Sequence, residues 1–464
     1  MEIINTRKLI KKEEIQGDIP HFFKVVKDIM KVAWPSMVEG FLVALVTMFD
    51  GIMVSVLGNE ANGAVNITKQ PIYFMISIIT ALNIALTAIV SRRFGEKNKE
   101  ACNNVLFTGI KISSVIAIFL SVIICILSRQ ICDWMGATES TINLASDYLF
   151  IISLGFIFNA LRLTINACQR GVGKTKISMW TNIIANIINV VLNYLLIAGR
   201  HGFPAWGIQG AAIATVIGNA FAFFISLGAI FRRNGILRFN FNKFIFWDNE
   251  SFKSILNIFP AAFIDQMCLR VGFILFALIV NYLGDDATYI HGICNDMNSL
   301  MFTLGDGFSI GVAAVIGHRL GEKRKDLALV YSKVSIILSI CIASIVCLFM
   351  VFARGFIIDL YEPATAYRRD TAKLIMIIAA CIMFPQNIQW LFTGILRVSG
   401  DTKYTARTSF VSVTIVRPIA AYLLTYTLGF GLIGAWVGMG FDQLARLLMN
   451  SSRFFKKKWL NIKV

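Results

Sequence analysis

The stretch 35–58, PSMVEGFLVALVTMFDGIMVSVLG, is apolar and long enough to cross a bilayer as a helix, yet it contains two acids. Glu39 lies near one end, and Asp50 lies in the interior. At about 100° per residue, the two acids fall within roughly 20° of one another on one helical face. A carboxylate in hydrocarbon costs about 2.5–3.5 kcal/mol on insertion scales, so it normally faces a protein interior or an aqueous cavity. The stretch therefore predicts a spanning helix with a functional face.

The composition is that of a polytopic helical membrane protein. Of 464 residues, 56% are hydrophobic and 15% are charged, and the mean hydropathy is +0.69. The net charge is +17, but the basic residues lie between apolar segments instead of in a separate basic domain. This distribution indicates membrane topology and argues against nucleic acid as a partner. Nine cysteines show no metal-binding spacing, and no nucleophile–base pair or cofactor motif occurs, so we expect a protein that is not an enzyme.

Twelve apolar segments of about 20 or more residues predict twelve transmembrane helices. Lys and Arg concentrate in every second connection and at both ends of the chain, which places both termini in the cytoplasm and the protein in the cell (plasma or inner) membrane. The predicted spans are 35–57, 67–91, 105–127, 142–168, 177–198, 207–231, 256–283, 288–317, 331–353, 371–396, 405–428 and 431–450.

An internal repeat relates the two halves of the chain. Six residues recur at a constant offset of 226, and each half contains six predicted spans. An even number of spans returns the chain to the same side, so the halves share one orientation and a substrate path would lie between them. The repeated residues are Glu39, Gly58, Arg93, Gly95, Glu96 and Lys97, with counterparts Asp265, Gly284, Arg319, Gly321, Glu322 and Lys323.

The repeat and the charge pattern together predict the domains. We expect an all-α integral membrane fold of twelve transmembrane helices in two pseudo-symmetric six-helix lobes. The segment 21–34 alternates lysines with apolar residues and predicts an amphipathic helix on the inner surface. The predicted parts are a cytoplasmic arm with that helix (1–34), an N-lobe of helices 1–6 (35–231), a cytoplasmic linker (232–253), a C-lobe of helices 7–12 (254–450) and a basic cytoplasmic tail (451–464).

These residues resemble the multidrug and toxic compound extrusion (MATE) transporters along nearly the full chain. The similar pieces are the stretch from Pro35 to Glu39, Asp50, the R-x-G-E-K element of both repeats, the YIH at 289–291, the RVSGDTK at 397–403 and the RP at 417–418. The resemblance implies two six-helix lobes around a central cavity. It also implies export of substrates coupled to inward movement of Na⁺ or H⁺.

The resemblance carries over to individual residues only in part. Asp50 stands at the first-helix aspartate that the family uses for coupling, and Asn189 and Asn193 match its N-x-x-x-D/N element. NorM-type members carry a glutamate about where Cys268 stands and an aspartate where Gln386 stands. The cation site that those members have in the C-lobe is therefore not expected here. We expect the coupling ion to bind in the N-lobe instead.

The fifth predicted helix carries an asparagine stripe. Its four asparagines are spaced at i, i+4, i+7 and i+11, so they share one face, which points inward because Asn is unfavourable against lipid. We expect Asn189 and Asn193 to contact Asp50, about 12 Å below the outer end of the first helix. Amide oxygens suit Na⁺, giving a possible Na⁺ site at these three residues, or they can hydrogen-bond a neutral Asp50. The alternative is a structural contact between helices. The stripe consists of Asn182, Asn186, Asn189 and Asn193.

The repeat separates the acids into two classes. Glu39 and Asp265 are counterparts near the inner ends of helices one and seven, where they would either attract organic cations or form a gate or capping contact. Asp50 has no acidic counterpart, because position 276 is Phe. Asp442 can pair with Arg446 at i+4 on its own helix. Together with Asn182, Asn186 and Gln386, Glu39 and Asp265 are our candidates for substrate or gate contacts.

We predict a secondary antiporter that exports organic, cationic or amphipathic compounds by alternating access of two lobes. Its partners would be small-molecule substrates and the bilayer, it would act as a monomer, and it would need no cofactor beyond Na⁺ or H⁺ as the coupling ion. A flippase for a lipid-linked saccharide is an alternative, although the acids at positions 39, 50 and 265 argue against an anionic cargo. A non-transporting scaffold or receptor is a second alternative, which needs neither the buried polar stripe nor the repeat.

Overall fold

The computed structural model describes residues 5–55, 57–232, 235–241, 244, 246–359, 361 and 365–462, apart from the side chains of residues 51, 52, 55 and 59. Within these ranges all regular secondary structure is helical and no strand occurs, so the predicted all-α class is confirmed. The helices are α1 (Phe22–Ser55), α2 (Asn59–Gly95), α3 (Lys99–Trp134), α4 (Ile142–Leu154), α5 (Phe156–Gly171), α6 (Thr175–Leu196), α7 (Gly207–Phe231), α8 (Asn249–Asn281), α9 (Asp285–Gly321), α10 (Lys325–Asp359), α11 (Ala366–Val398), α12 (Thr402–Thr427) and α13 (Gly431–Phe455).

The helices correspond one by one to the predicted spans, with two differences. Over the described ranges, ten helices are long and apolar enough to cross a bilayer. The fourth predicted span is a pair, α4 and α5, bent by 47° at Gly155. The twelfth, α13, is less apolar because its interior carries Asp442, Gln443 and Arg446, all of which are buried.

The amphipathic segment predicted over residues 21–34 is joined to the first spanning helix. These residues are helical, but they form the beginning of α1, which continues through Pro35 to Ser55. Val25, Ile29 and Ala33 follow one another at intervals of four and are fully buried on one face. Because this apolar face packs against protein, the helix has no reason to end before the membrane span.

The chain forms two compact units whose limits differ from those of the repeat. Unit 1 consists of Met1–Phe41 and Pro260–Val464, and unit 2 consists of Leu42–Phe259. Helix α1 therefore begins in unit 1 and ends in unit 2, whereas α8 begins in unit 2 and ends in unit 1. Each half of the repeat thus contributes the beginning of its first helix to the other unit.

Glycines of α9 allow the beginning of α1 to pack closely in unit 1. A Cβ placed on Gly311 would lie 2.3 Å from Cα of Ala33, and one on Gly307 would lie 2.5 Å from the carbonyl oxygen of Ser36. Spaced by four, these glycines form a small-residue face of the kind that lets membrane helices approach. The hydroxyl of Tyr331 also donates a hydrogen bond of 2.7 Å to Asp28 of α1.

The segment before α8 is held in unit 2 by polar contacts. Asn103 of α3 accepts a hydrogen bond from the backbone N–H of Arg238 and donates one to the carbonyl of Ile236, at 2.6 and 3.2 Å. Lys111 donates to the carbonyl of Phe246 at 2.7 Å. At the start of α8, Glu250 pairs with Arg93 at 2.9 Å. The linker predicted over 232–253 therefore packs against α2 and α3 in its described part.

Gly311→Ala should destabilise the protein, because the new Cβ cannot fit against Ala33 without moving α1 or α9. We expect a loss of about 1–3 kcal/mol in the free energy of unfolding, as for other overpacked sites. Gly292→Ala on the same helix is the matched control, since a Cβ there meets nothing within 4 Å. Thermal unfolding of both purified variants in detergent measures the difference. Equal midpoints would show that the α1–α9 contact is not tightly packed.

Candidate functional site

The predicted contact between Asp50 and the asparagine stripe is present in unit 2. Asn193 of α6 donates a hydrogen bond of 2.9 Å to Oδ1 of Asp50. Asn189, one turn earlier, lies beside the same carboxylate. With its amide nitrogen facing Asp50, the orientation that satisfies both ends of this amide, Asn189 donates to both carboxylate oxygens at 2.9 and 3.1 Å. The two helices are therefore joined by one acid and two amides.

Helix α7 supports this site from behind. In the same orientation, the amide oxygen of Asn189 accepts hydrogen bonds from the backbone N–H and the hydroxyl of Thr215, at 3.3 and 3.1 Å. Gly218 lets α7 approach α6, because a Cβ there would lie 2.9 Å from the carbonyl oxygen of Ala185. Thr215 was not among the residues predicted for the site, because it is a single hydroxyl in the apolar sixth predicted span, now α7, and forms no pattern of its own.

Asp50 lies closer to the end of α1 than we predicted. The helix ends at Ser55, five residues after Asp50, which corresponds to roughly 8 Å along the axis instead of 12 Å. The side chain is partly buried. Asp50 therefore lies within two helical turns of the end of α1.

The directions of the hydrogen bonds suit an ionised Asp50. An ionised carboxylate only accepts hydrogen bonds, and both neighbouring amides present N–H groups to it. The amide oxygens, which would be needed as Na⁺ ligands, point away from Asp50. The described residues contain no group of three His, Cys, Asp or Glu side chains placed to hold a metal ion.

The other two asparagines of the stripe have different surroundings. Asn182 accepts a hydrogen bond from Arg162 of α5, which also donates to Asn159 at 2.8 Å. The side-chain nitrogen of Asn186 is buried without a hydrogen-bond partner in the described part of the chain. The structure thus brings Asn189 and Asn193 to Asp50, and it joins Asn182 to an arginine. Arg162 was also absent from the predicted site residues, although an arginine inside the segment 142–168 is itself a signal.

Asp265 of unit 1 is fully buried and forms an ion pair. Its Oδ2 accepts hydrogen bonds from Arg397 at 2.7 and 3.1 Å, and the guanidinium lies over the ring of Trp390. Because the positive charge of Arg397 offsets that of the carboxylate, Asp265 attracts a further cation only weakly. Of the two interpretations of Asp265, the contact therefore supports the structural one. Its repeat counterpart Glu39 is half-buried in the part of α1 that belongs to unit 1.

A second buried charge cluster surrounds Asp442. The predicted pair with Arg446 is confirmed at 3.1 Å, and Arg417 of α12 binds the same carboxylate, with its Nε at 3.0 Å. The sequence indicated Arg417 only as part of a motif, without a partner. Gln443 also donates to Asp442, at 3.2 Å. Because two guanidiniums share one carboxylate, this cluster carries a net positive charge, which disfavours a bound cation nearby.

The position in the tenth predicted span where NorM-type members carry an aspartate is occupied by a neutral residue, Gln386. Gln386 is 8% exposed, and its Oε1 has no hydrogen-bond partner among the described residues. The next residue, Asn387, fits against α9 only because position 305 is Gly: a Cβ there would lie 1.9 Å from the amide oxygen. Cys268, at the seventh-helix position, is buried. Positions 268 and 386 therefore provide no carboxylate in unit 1.

Asp442→Asn should destabilise the protein by about 3–5 kcal/mol, because it leaves two buried guanidiniums without an anion. The matched control is Asp359→Asn, which breaks a pair with Arg369 whose side chains are 43% and 48% exposed. This exposed pair should contribute little to stability, because water and salt screen it. Denaturant or thermal unfolding in detergent compares the two variants. Equal losses would contradict the assigned role of the buried cluster.

Comparison with known proteins places the chain in a family. The model of the MatE family matches residues 35–195 and 261–423. A probable multidrug resistance protein NorM of Thermotoga maritima is 27% identical over 454 residues, covering 94% of this chain and 93% of the relative. The uncharacterized transporter YisQ of Bacillus subtilis is 23% identical over 433 residues, covering 93% and 94%.

Solved structures share the fold. An outward-facing multidrug resistance MATE family transporter of the MOP superfamily has a TM-score of 0.87 at 18% identity, over 97% of this chain and 98% of that one. A MOP superfamily transporter from Pyrococcus furiosus, described as having a binding pocket of reverse polarity that suggests a different function, also has a TM-score of 0.87, at 17% identity and with full coverage of both chains. The match of the family model to both halves of the sequence shows that this chain belongs to the MatE family, the multidrug and toxic compound extrusion (MATE) transporters.

Proposed function

We propose that this MATE transporter exports organic compounds in exchange for a cation, H⁺ or Na⁺, that binds at Asp50. The observation that carries the proposal is the contact of Asp50 with Asn189 and Asn193. A carboxylate held by two amides inside a spanning helix is energetically costly, and a role in ion binding would explain why it is present. Its position near the end of α1 would let a small ion reach it.

Binding of either ion would require the same local rearrangement. A proton on Asp50 creates a hydroxyl that needs an acceptor, and Na⁺ needs oxygen ligands. In both cases the side chain of Asn189 or Asn193 can supply an oxygen by an amide flip, which exchanges the positions of its nitrogen and oxygen. Loading of the site would therefore break at least one of the present hydrogen bonds between α1 and α6.

Helix α1 provides the route by which this local change would affect transport. Residues 42–55 of α1 belong to unit 2 and residues 22–41 to unit 1, within one continuous helix. A shift of α1 against α6 at Asp50 would reach the part of α1 that packs on the glycines of α9. In alternating access, such a coupled shift would convert cation binding on one side into substrate release there.

The charge of the site supports a cationic or amphipathic substrate. Asp50 is the acid whose contacts are neutral amides, whereas Asp265 and Asp442 are paired with arginines. An acid that is held by amides keeps its negative charge available to the coupling ion or to an organic cation. As a hypothesis, the two compete for it, so that export of one accompanies entry of the other.

The remaining expectations stay proposals. The distribution of Lys and Arg supports cytoplasmic termini and a cell-membrane location. All residues of the Asp50 site come from one unit of one chain, which supports a monomer as the functional form. We propose no cofactor besides the coupling ion, and substrates and lipids as the partners.

The alternatives receive less support. A flippase for lipid-linked saccharides would need cationic side chains exposed to its cargo. The arginines around Asp442 do not meet this need, since Arg417 is 1% and Arg446 is 4% exposed. A scaffold or receptor has no use for a carboxylate held by amides within a spanning helix.

Asp50→Asn should abolish coupled transport, because a neutral amide binds neither a proton nor Na⁺ with comparable affinity. Asn193→Ala should reduce it by roughly 10–100-fold, the equivalent of a lost hydrogen bond to a charged group. The measurement is uptake of a cationic dye into proteoliposomes, driven by a pH gradient or, separately, by a Na⁺ gradient. The driving gradient identifies the coupling ion.

Asp147→Asn is the matched control for this experiment. It removes an exposed acid of the same unit, whose side chain accepts a hydrogen bond from Gln209, and it should keep wild-type transport. Unfolding midpoints of all variants establish that they fold. Full coupled transport by a folded Asp50→Asn variant would refute the assignment.

A further inference from the structure

The N-terminal arm, residues 5–20, is docked on unit 1 at the turn between α9 and α10. Asp326, whose side chain is fully buried, accepts a hydrogen bond of 3.0 Å from the backbone N–H of Gln16. The amide oxygen of Gln16 accepts one of 3.2 Å from the N–H of Lys325 in return. Arg324 donates to the carbonyl of Asp18 at 3.0 Å. The arm therefore has a defined position instead of extending freely into water.

The C-terminal tail, residues 456–462, locks the arm in place. Lys457 forms an ion pair with Glu14, and this hydrogen bond is the main cause that lowers the pKa of the Glu14 carboxyl. Lys325 donates to Asn461 at 2.7 Å. Trp459 is fully buried and stacks on Phe454, with ring centroids 5.4 Å apart. We call the arm, the tail and the turn at 321–325 the terminal clasp.

The clasp and the start of α1 expose far more cations than anions. Glu14 is paired with Lys457 and Asp326 with Arg324, and the exposed acids Glu13, Asp18 and Glu322 are far fewer than the exposed lysines. The exposed lysines of this surface are Lys8, Lys11, Lys12, Lys24, Lys27, Lys31, Lys323, Lys325, Lys456 and Lys458. The contacts between arm, tail and turn bring seven of these ten into one surface of unit 1.

The first turns of α1 place the other three lysines at the level of the lipid headgroups. Lys24, Lys27 and Lys31 lie on one helical face, about 160° away from the buried apolar face. They come directly before the apolar stretch that begins at residue 35. Phe23 is 54% exposed there. Cations beside an exposed aromatic ring are typical of the interface between a membrane and water.

The end of α13 has the same character. Phe455 is 61% exposed at the last position of the helix, and the exposed Lys456 and Lys458 follow it directly. Both helices that connect to the clasp thus present lysines next to an exposed phenylalanine. Such pairs of lysines and aromatic rings at the ends of spanning helices are what a position at the membrane surface requires.

We propose that the terminal clasp binds the headgroups of anionic phospholipids in the leaflet that faces the chain termini. The lysines supply the charge and the exposed aromatic rings supply the apolar contact. Each lysine near an anionic surface strengthens binding by roughly fivefold, which corresponds to about 1 kcal/mol. Since Glu14 and Asp326 are already paired, they do not cancel this attraction.

The test measures the affinity of the full-length protein in neutral detergent for phosphatidylglycerol and phosphatidylcholine by native mass spectrometry. We expect phosphatidylglycerol to bind at least about 100-fold more tightly. A triple variant, Lys12→Gln, Lys456→Gln and Lys458→Gln, should lose roughly 100-fold of this affinity. An increase of NaCl from about 50 mM to about 500 mM should weaken wild-type binding, because it shortens the screening length.

The matched control removes three exposed cations of unit 2 by Lys97→Gln, Lys99→Gln and Arg238→Gln. Its affinity for phosphatidylglycerol should change less than threefold. Equal losses in both triple variants, or equal affinity for the two lipids, would overturn the proposal. So would glycerol phosphate if it bound as tightly as phosphatidylglycerol, because the ligand would then be a free anion. Hydrogen exchange of residues 5–20 in the variant should match that of the wild type, which shows that the clasp itself is intact.

Discussion

A charged side chain inside a bilayer must find its partner within the protein, and this constraint explains the surroundings of the acids in the spanning helices. Asp265 and Asp442 are paired with arginines, whereas the partners of Asp50 are two neutral amides. An arginine neutralises a carboxylate permanently. An amide stabilises the ionised carboxylate through its N–H groups, and after a flip its oxygen can accept a hydrogen bond from the protonated form. The kind of partner therefore separates Asp265 and Asp442 from Asp50, and this difference is the basis for the proposed role of Asp50.

The same division makes the two halves of the repeat chemically unequal. In unit 2 the acid of α1 faces amides of α6. In unit 1 the position related to Asp50 is Phe276, and the interior carries an excess of positive charge around Asp442. A cation would be favoured in the first environment and disfavoured in the second. The two halves of the repeat thus share an order of helices but differ in the charge around their buried acids.

Helix α1 connects these features. Its first part is held in unit 1 by close contacts with Gly307 and Gly311, and its last part carries the Asp50 site in unit 2. A glycine face tolerates little displacement without a clash, so the beginning of the helix is closely held in unit 1. The docked arm before it, held by Asp326 and Lys457, extends that anchor to the chain terminus.

The sequence by itself determined the class, the number of spans and the repeat, because the bilayer imposes length and hydropathy on each segment separately. It also determined that Asp50 would meet Asn189 and Asn193, since only helical spacing, the cost of polar groups in lipid and the family resemblance were needed. Only the tertiary structure decided which arginine meets Asp265, that Thr215 supports Asn189, and that α1 begins in one unit and ends in the other. These features depend on contacts between residues far apart in the chain, such as Asp265 with Arg397 or Ala33 with Gly311, and no periodicity within one segment encodes such a contact.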